Sequence, residues 1–278
     1  MKVIETKEAL IETLKPYKAG RISVGFVPTM GALHAGHVSL VEQSRKEAGI
    51  TVASIFVNPT QFNDKNDFAK YPRTLFEDIE KLSSVGCDFV FSPGENEMYP
   101  EEDSRVFDFG VLDKVMEGAY RPGHFNGVAQ IVSRLFDAVR PDKAYFGEKD
   151  FQQLAIIRRL TEMANYPVQI IGCPIVREND GLAMSSRNIR LTSEQRRNAS
   201  SIYAALVESK EKITSVPFEE IKNRVIARID QIPEQQTEYF EIADRKTLQP
   251  ATQYKENSLQ GCVAVRVGNV RLIDNIAY

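Results

Sequence analysis

Over its first two thirds the chain repeats one pattern: a short β-rich run, a turn, then an amphipathic stretch of helical period. Ile22 to Val27 (ISVGFV) reads as a buried strand, followed by a Pro/Gly turn and a helix through Val38, Leu40 and Val41 to Lys46. Thr51 to Val57 is the next strand. A helix over Phe76 to Val85 leads to a strand over Cys87 to Phe91, and a strongly periodic helix over Val128 to Val139 leads to a strand over Lys143 to Phe146. A helix over Phe151 to Met163 precedes the strand Val168 to Gly172. Strands separated by helices predict right-handed βαβ crossovers and a parallel sheet. The fold class expected is therefore α/β, a Rossmann-like doubly wound domain over residues 1–175.

After about Val176 the texture changes. Thr192-Ser193-Glu194-Gln195 is a capping-box pattern that opens a helix to about Lys212, and Pro217 suits the first turn of a second helix to Asp230. Alternating runs follow at Thr237 to Ala243, Cys262 to Val267 and Val270 to Asp274. The last two flank Gly268-Asn269, a dipeptide that predicts a hairpin. A smaller α+β domain over residues 176–278 is expected, and 278 residues are ample for two cores.

Charge and cysteine content narrow the function classes. The net charge is −3, which argues against nucleic acid as the partner, because polyanion binding calls for a basic excess. Cys87, Cys173 and Cys262 are odd in number and far apart, so they fit neither a disulfide framework nor a zinc spacing and read as core thiols. The N-terminal MKVIETKEALIETL has no continuous apolar segment, so no signal peptide is expected. No stretch approaches the roughly 20 apolar residues of a membrane span, and the expected location is the cytoplasm.

The most informative segment is the first βα turn: Pro28, Thr29, Met30, Gly31, Ala32, Leu33, His34, Ala35, Gly36 and His37. In an open parallel sheet this turn lies beyond the carboxyl ends of the strands, where ligands bind. Gly31 permits close backbone approach, and Gly36 leaves the early helix without a side chain. Free N–H groups and the positive end of the helix dipole suit phosphate. His34 and His37 are three apart, share a helix face, and supply two of only three histidines in the chain. No GxGxxG is present, so a dinucleotide is not the expected ligand.

His34-Ala35-Gly36-His37 after a first strand resembles the HxGH signature of the nucleotidylyltransferase superfamily. Met184-Ser185-Ser186-Arg187 resembles the later KMSKS-type motif, which in those enzymes closes over the phosphates. The wider set narrows the resemblance. Besides the Pro28 to His37 turn it comprises Phe56-Val57-Asn58-Pro59-Thr60-Gln61-Phe62, Tyr71-Pro72-Arg73, Arg121 to Gly127, Gly147-Glu148-Lys149-Asp150-Phe151-Gln152-Gln153 and Met184 to Asn188. Together and in this order they resemble the pantothenate synthetase (pantoate–β-alanine ligase) family. Two departures are mild: Ala35 stands where the family often has an acidic residue, and Phe151 where another aromatic is common.

The resemblance implies ATP-dependent joining of pantoate to β-alanine in two steps, through a pantoyl adenylate. It implies that His34 and His37 bind the triphosphate, with His37 the proton donor to the leaving phosphate. A helix N-terminus disfavours imidazolium, so hydrogen-bond donation by a neutral ring stands beside full proton transfer. Lys149 and Arg187 would balance phosphate charge, with Ser185 and Ser186 as further donors. Gly147, Glu148 and Asp150 would hold the ribose and adenine side, and Val176 and Met184 would lie against the nucleotide. Gln61 and Gln153 match pantoate-binding glutamines, with Asn58 and Tyr71 near the same pocket; an amide both donates to and accepts from a hydroxy acid.

His124 reads either as a β-alanine or pyrophosphate contact or as a turn histidine, and its Arg121 to Gly127 stretch as a mobile cover or a turn. Mg²⁺ is expected to arrive through ATP phosphates, with no dedicated protein ligand. The resemblance also implies a homodimer. Two other readings compete: an HxGH nucleotidylyltransferase that keeps AMP on its product, and a catalytically silent nucleotide-binding module.

Overall fold

The computed structural model describes residues 1–278. Its nine strands are β1 Lys2–Ile4, β2 Val24–Thr29, β3 Ile50–Ile55, β4 Phe89–Phe91, β5 Lys143–Gly147, β6 Gln169–Cys173, β7 Gln235–Asp244, β8 Leu259–Val267 and β9 Val270–Ala277. The chain forms two compact units. The first comprises Met1–Phe109, Arg121–Glu148 and Gln153–Pro174; the second comprises Gly110–Tyr120, Lys149–Gln152 and Ile175–Tyr278.

In the first unit six strands form one sheet in the order β1-β4-β3-β2-β5-β6, and every pairing is parallel. Chain order runs outward from β2 to β3 and β4 on one side and from β5 to β6 on the other. The direction of winding therefore reverses between β2 and β5, and this switch point is where such sheets open a crevice at the strands' carboxyl ends. Strands buried on both faces read as continuous apolar runs, and β3 (ITVASI) is buried at all six positions. Val27, Leu33, Val41, Ala53, Leu82, Val90 and Tyr145 make one core of this unit.

Among the elements without a counterpart in the sequence reading are the first two of the chain. The N-terminal segment supplies edge strand β1, in register with Phe89–Phe91, and then the helix Lys7–Ala19. A three-residue strand is too short to show alternation, and Pro16 inside the helix hides its period. The helix expected from Val128 begins earlier, at His124, because Gly123 takes φ 80 as its N-cap and turns the chain into the helix.

The second unit is an antiparallel sheet, β7-β8-β9, packed on helices. Val267 pairs with Val270, so Gly268-Asn269 closes a two-residue hairpin as expected. The Thr192/Gln195 capping box is present, but the helix it opens, Ser193–Asn198, gives way at Ala199 to a second, Ser200–Lys212. Pro217 is the N-cap of Phe218–Asp230 and lies just outside its first turn.

Candidate active site

At the switch point, the end of β2 runs into the turn Pro28 to His37 and then the helix Ala35–Glu47. Thr29 Oγ1 donates to the Ser54 carbonyl at 2.6 Å and accepts from Gly31 N–H at 3.2 Å, which starts the turn. Gly31 and Ala32 follow with φ 80 and 50, two consecutive left-handed residues. For alanine that conformation costs roughly 1–2 kcal/mol, so the surroundings must hold it. They do so through Asp78, a buried carboxylate that accepts Ala32 N–H at 2.8 Å and Leu33 N–H at 2.7 Å. Thr74 Oγ1 adds a bond to the same carboxylate at 3.2 Å, and Lys81 Nζ donates to the Leu33 carbonyl at 2.7 Å. The helix Leu75–Ser84 thus grips the turn from both sides of one residue.

Sequence reasoning missed Asp78. Its one signal is an acidic residue four positions before Leu82, on the face that the helix buries.

The two histidines cap their own helix. His34 is the N-cap, and its Nδ1 accepts Gly36 N–H at 3.1 Å, while Nδ1 of His37 accepts His34 N–H at 3.3 Å. This is a capping box with imidazoles in place of hydroxyl and carboxylate. An Nδ1 that accepts carries no proton, so the neutral ring holds its hydrogen on Nε2. The rings lie 4.1 Å apart between centroids, tilted by 41° to one another. Protonation of either Nδ1 would forfeit a capping bond at the positive end of a helix. Ala35 is exposed.

Asn58 to Gln61 follows β3. Asn58 is buried and fully committed: Nδ2 donates to Gln61 Oε1 and to the Gly127 carbonyl, each at 3.1 Å, and Oδ1 accepts the Tyr99 hydroxyl at 2.7 Å. Burial raises the Tyr99 phenol above its ordinary pKa, which keeps it a donor. Asn58 therefore orients Gln61, whose Nε2 lies 3.3 Å from the Met30 sulfur and so reaches back to the Pro28 to His37 turn.

His124, also buried, donates from Nδ1 to the Gln61 carbonyl at 2.8 Å, and its Nε2 lies 3.1 Å from Arg121 Nη1. Of the two readings open for His124, the structure places it in the first turn of a helix, clamping the main chain of Gln61. Tyr71 is buried, with its ring edge-on to Phe62 at 5.7 Å. Gly147 ends β5 at the switch point, and Glu148 follows it; Gln153 is half-buried on the helix Phe151–Met163.

The remaining expected residues belong to the second unit. Lys149 and Asp150 lie in the short turn Glu148–Asp150, with Lys149 Nζ 3.9 Å from Asp150 Oδ2. Gln152 is structural, since its Nε2 donates to the carbonyls of Leu112 at 2.7 Å and Val115 at 2.9 Å and its Oε1 accepts Glu117 N–H at 2.9 Å. Val176 and Met184 are joined by a main-chain bond of 3.0 Å, and Arg177 bridges to Ala183, so residues 176–184 fold back on themselves around Gly181. Ser185 Oγ accepts Arg187 N–H at 3.2 Å, and Asn188 Nδ2 donates to the Ala183 carbonyl at 3.1 Å. This arrangement leaves Met184 to Arg187 half-buried on a braced loop.

Comparison with known proteins bears on what these parts do. The family model described as pantoate-beta-alanine ligase matches residues 2–277. A pantothenate synthetase of Bacteroides thetaiotaomicron is 55% identical over 279 residues, covering 100% of this chain and 99% of that protein. One from Porphyromonas gingivalis is 50% identical with the same coverage. Among solved structures, the pantothenate synthetase of Thermus thermophilus superposes with a TM-score of 0.93 at 44% identity, over 99% of each chain. The Francisella tularensis pantoate-beta-alanine ligase, solved with Beta-gamma ATP and β-alanine, gives 0.83 at 34% identity, over 100% of this chain and 97% of that one.

Proposed function

The chain belongs to the pantoate-beta-alanine ligase family, and we propose that it joins (R)-pantoate to β-alanine at the expense of ATP, giving pantothenate, AMP and pyrophosphate. The observation that carries this reading is the self-capped helix at the sheet's switch point, with two imidazoles at its start and a glutamine held against Met30 of the turn before it. A pantoate carboxylate oxygen attacks the α-phosphorus of ATP, the bond to the β-phosphate oxygen breaks, and pyrophosphate leaves. The β-alanine amine then attacks the acyl carbon of pantoyl adenylate, loses a proton, and AMP leaves with the electrons of the acyl C–O bond. Transfer of this kind needs positioning and charge stabilisation rather than a covalent enzyme intermediate.

In this reading His34 and His37 donate from Nε2 to the triphosphate. Because Nδ1 of His37 is already an acceptor, hydrogen-bond donation by a neutral ring is favoured over full proton transfer to the leaving phosphate. Lys149 and Arg187 offset phosphate charge, with Ser185 and Ser186 as further donors. Gly147, Glu148, Asp150, Val176 and Met184 serve the nucleoside. Gln61 and Gln153 hold pantoate; Asn58 contributes by fixing Gln61, and Tyr71 by packing the wall beside it. No group of three or more His, Cys, Asp or Glu residues is set to hold a metal ion. As part of the same proposal, Mg²⁺ would be carried mainly by phosphate oxygens and water.

No helix is long and apolar enough to cross a membrane. A cytoplasmic location, supported by the family's biosynthetic character, is part of the same proposal, as is a homodimer. Incubation with ATP, (R)-pantoate and β-alanine, with products resolved by mass spectrometry, tests the reading. Pantothenate with stoichiometric AMP is expected. An adenylylated product with no amide bond would replace it with nucleotidyl transfer, a reading the family match does not favour.

A further inference from the structure

The last strand of the second unit carries two adjacent polar residues closed off from solvent, Asp274 and Asn275, and neither has a part in the chemistry above. Burying a carboxylate and an amide is costly unless each polar atom is met. Asp274 receives a bidentate fork from Arg177 at 2.7 and 2.9 Å. Arg177 also donates to the Gly181 carbonyl at 3.0 Å and lies 3.6 Å over the Tyr203 ring. Since Arg177 follows Val176 and bridges to Ala183, Asp274 fixes the base of the fold-back that leads into Met184 to Arg187.

Asn275 serves the other charged segment. Its Nδ2 donates to the Lys149 carbonyl at 2.8 Å, and its Oδ1 accepts from Gln260 Nε2 at 2.6 Å. The Lys149 carbonyl settles which way the Asn275 amide faces, because a carbonyl oxygen can only accept. Asn275 also ties the two anchors together, as its carbonyl accepts from Arg177 at 3.2 Å. Successive side chains leave a strand on opposite faces, so one dipeptide reaches two segments.

We propose that Asp274 and Asn275 are positioning residues that hold the Lys149 main chain and the Val176 to Arg187 loop in a single register, so that the two cations serving ATP are set together. The inference rests on the assignment of Lys149 and Arg187 to the nucleotide. Its range is the adenylating step; the attack of β-alanine on the finished adenylate makes no use of the register.

The test separates the two half-reactions. Pantoate-dependent ATP–pyrophosphate exchange reads the first, and conversion of preformed pantoyl adenylate by β-alanine reads the second. In Asn275→Ala the exchange rate is expected to fall about 10-fold or more, the scale of a small misplacement of a charged group. The second half-reaction should stay within about 2-fold. In a Lys149→Ala background the same substitution should add less than about 2-fold, because residues acting as a unit are not additive. Wild-type exchange in Asn275→Ala, or a full multiplicative loss in the double variant, overturns the proposal. Should Asn275→Ala fail to fold, Gln260→Ala keeps Asn275 and only frees its amide. A selective loss of exchange there supports the proposal and unchanged exchange refutes it. A wild-type protein with no pantoate-dependent exchange would instead sink the functional reading itself.

Discussion

Asp78 accepts the main-chain N–H of Leu33 at 2.7 Å, from a helix that lies beyond the next strand in sequence. The bond, with its neighbour to Ala32, holds a left-handed alanine next to a left-handed glycine just before His34. Replacing Asp78 by Asn turns one acceptor into an N–H₂ that faces an N–H. The unmet buried donor should cost about 1–3 kcal/mol. Thermal unfolding should show the loss, and kcat/KM for ATP should fall by about 10-fold or more as the turn relaxes. A variant with wild-type melting and wild-type turnover would remove Asp78 from the account.

His37→Ala deletes both a capping acceptor and an Nε2–H donor. Loss of one well-placed acid or transition-state donor is worth about 10²-fold or more in rate. Steady-state assays with saturating pantoate and β-alanine should show that loss in kcat. Unchanged turnover would revive the reading of a silent nucleotide-binding module.

Gly127 faces the turn that carries Gln61 so closely that a Cβ there would lie 2.3 Å from the Thr60 carbonyl oxygen and 2.8 Å from Gln61 N. Both contacts are with main chain and cannot swing aside. Gly127→Ala should displace Gln61 and raise the KM for pantoate by about 10-fold, with a smaller change in the KM for ATP. Equal effects on both substrates would mean that the substitution disturbs the fold generally.

Stability should decline in mild alkali. Burial pushes the Cys87 thiol up to about 11 from its ordinary 9.0. Between those values the unfolded chain releases a proton that the folded chain keeps. The stabilisation is therefore complete below pH 9 and drains away as pH rises toward 11, at up to ~1.4 kcal/mol per pH unit for this one group. Denaturant unfolding across the range from about pH 8 to about pH 10 should show the slope, and Cys87→Ser, which cannot ionise in this range, should lessen it, with Cys173, likewise pushed up to about 11 by burial, keeping a share.

The parallel sheet and the hairpin were legible because their signals are local. β3 is a continuous apolar run, and Gly268-Asn269 names its own turn. The histidine turn was legible for the same reason. Asp78, Asn58 and His124 were harder to read, since each works through main-chain groups far away in sequence: Leu33, Gly127 and Gln61. Nothing in a single sequence marks which carbonyl or N–H a buried polar side chain will meet. The break at Ala199 was likewise invisible, because residues on either side keep an acceptable helical pattern.

The second unit draws Gly110–Tyr120 and Lys149–Gln152 from among stretches of the first. Glu117, in the earlier of these, receives Arg271 through two bonds of 2.7 Å and the Tyr239 hydroxyl at 2.8 Å. A fragment cut at residue 176 would leave that guanidinium without its principal carboxylate, and a buried charge stripped of its partner is strongly destabilising. The small sheet is thus no portable cassette. Recombination between relatives at that boundary would have to carry two short upstream segments along with it.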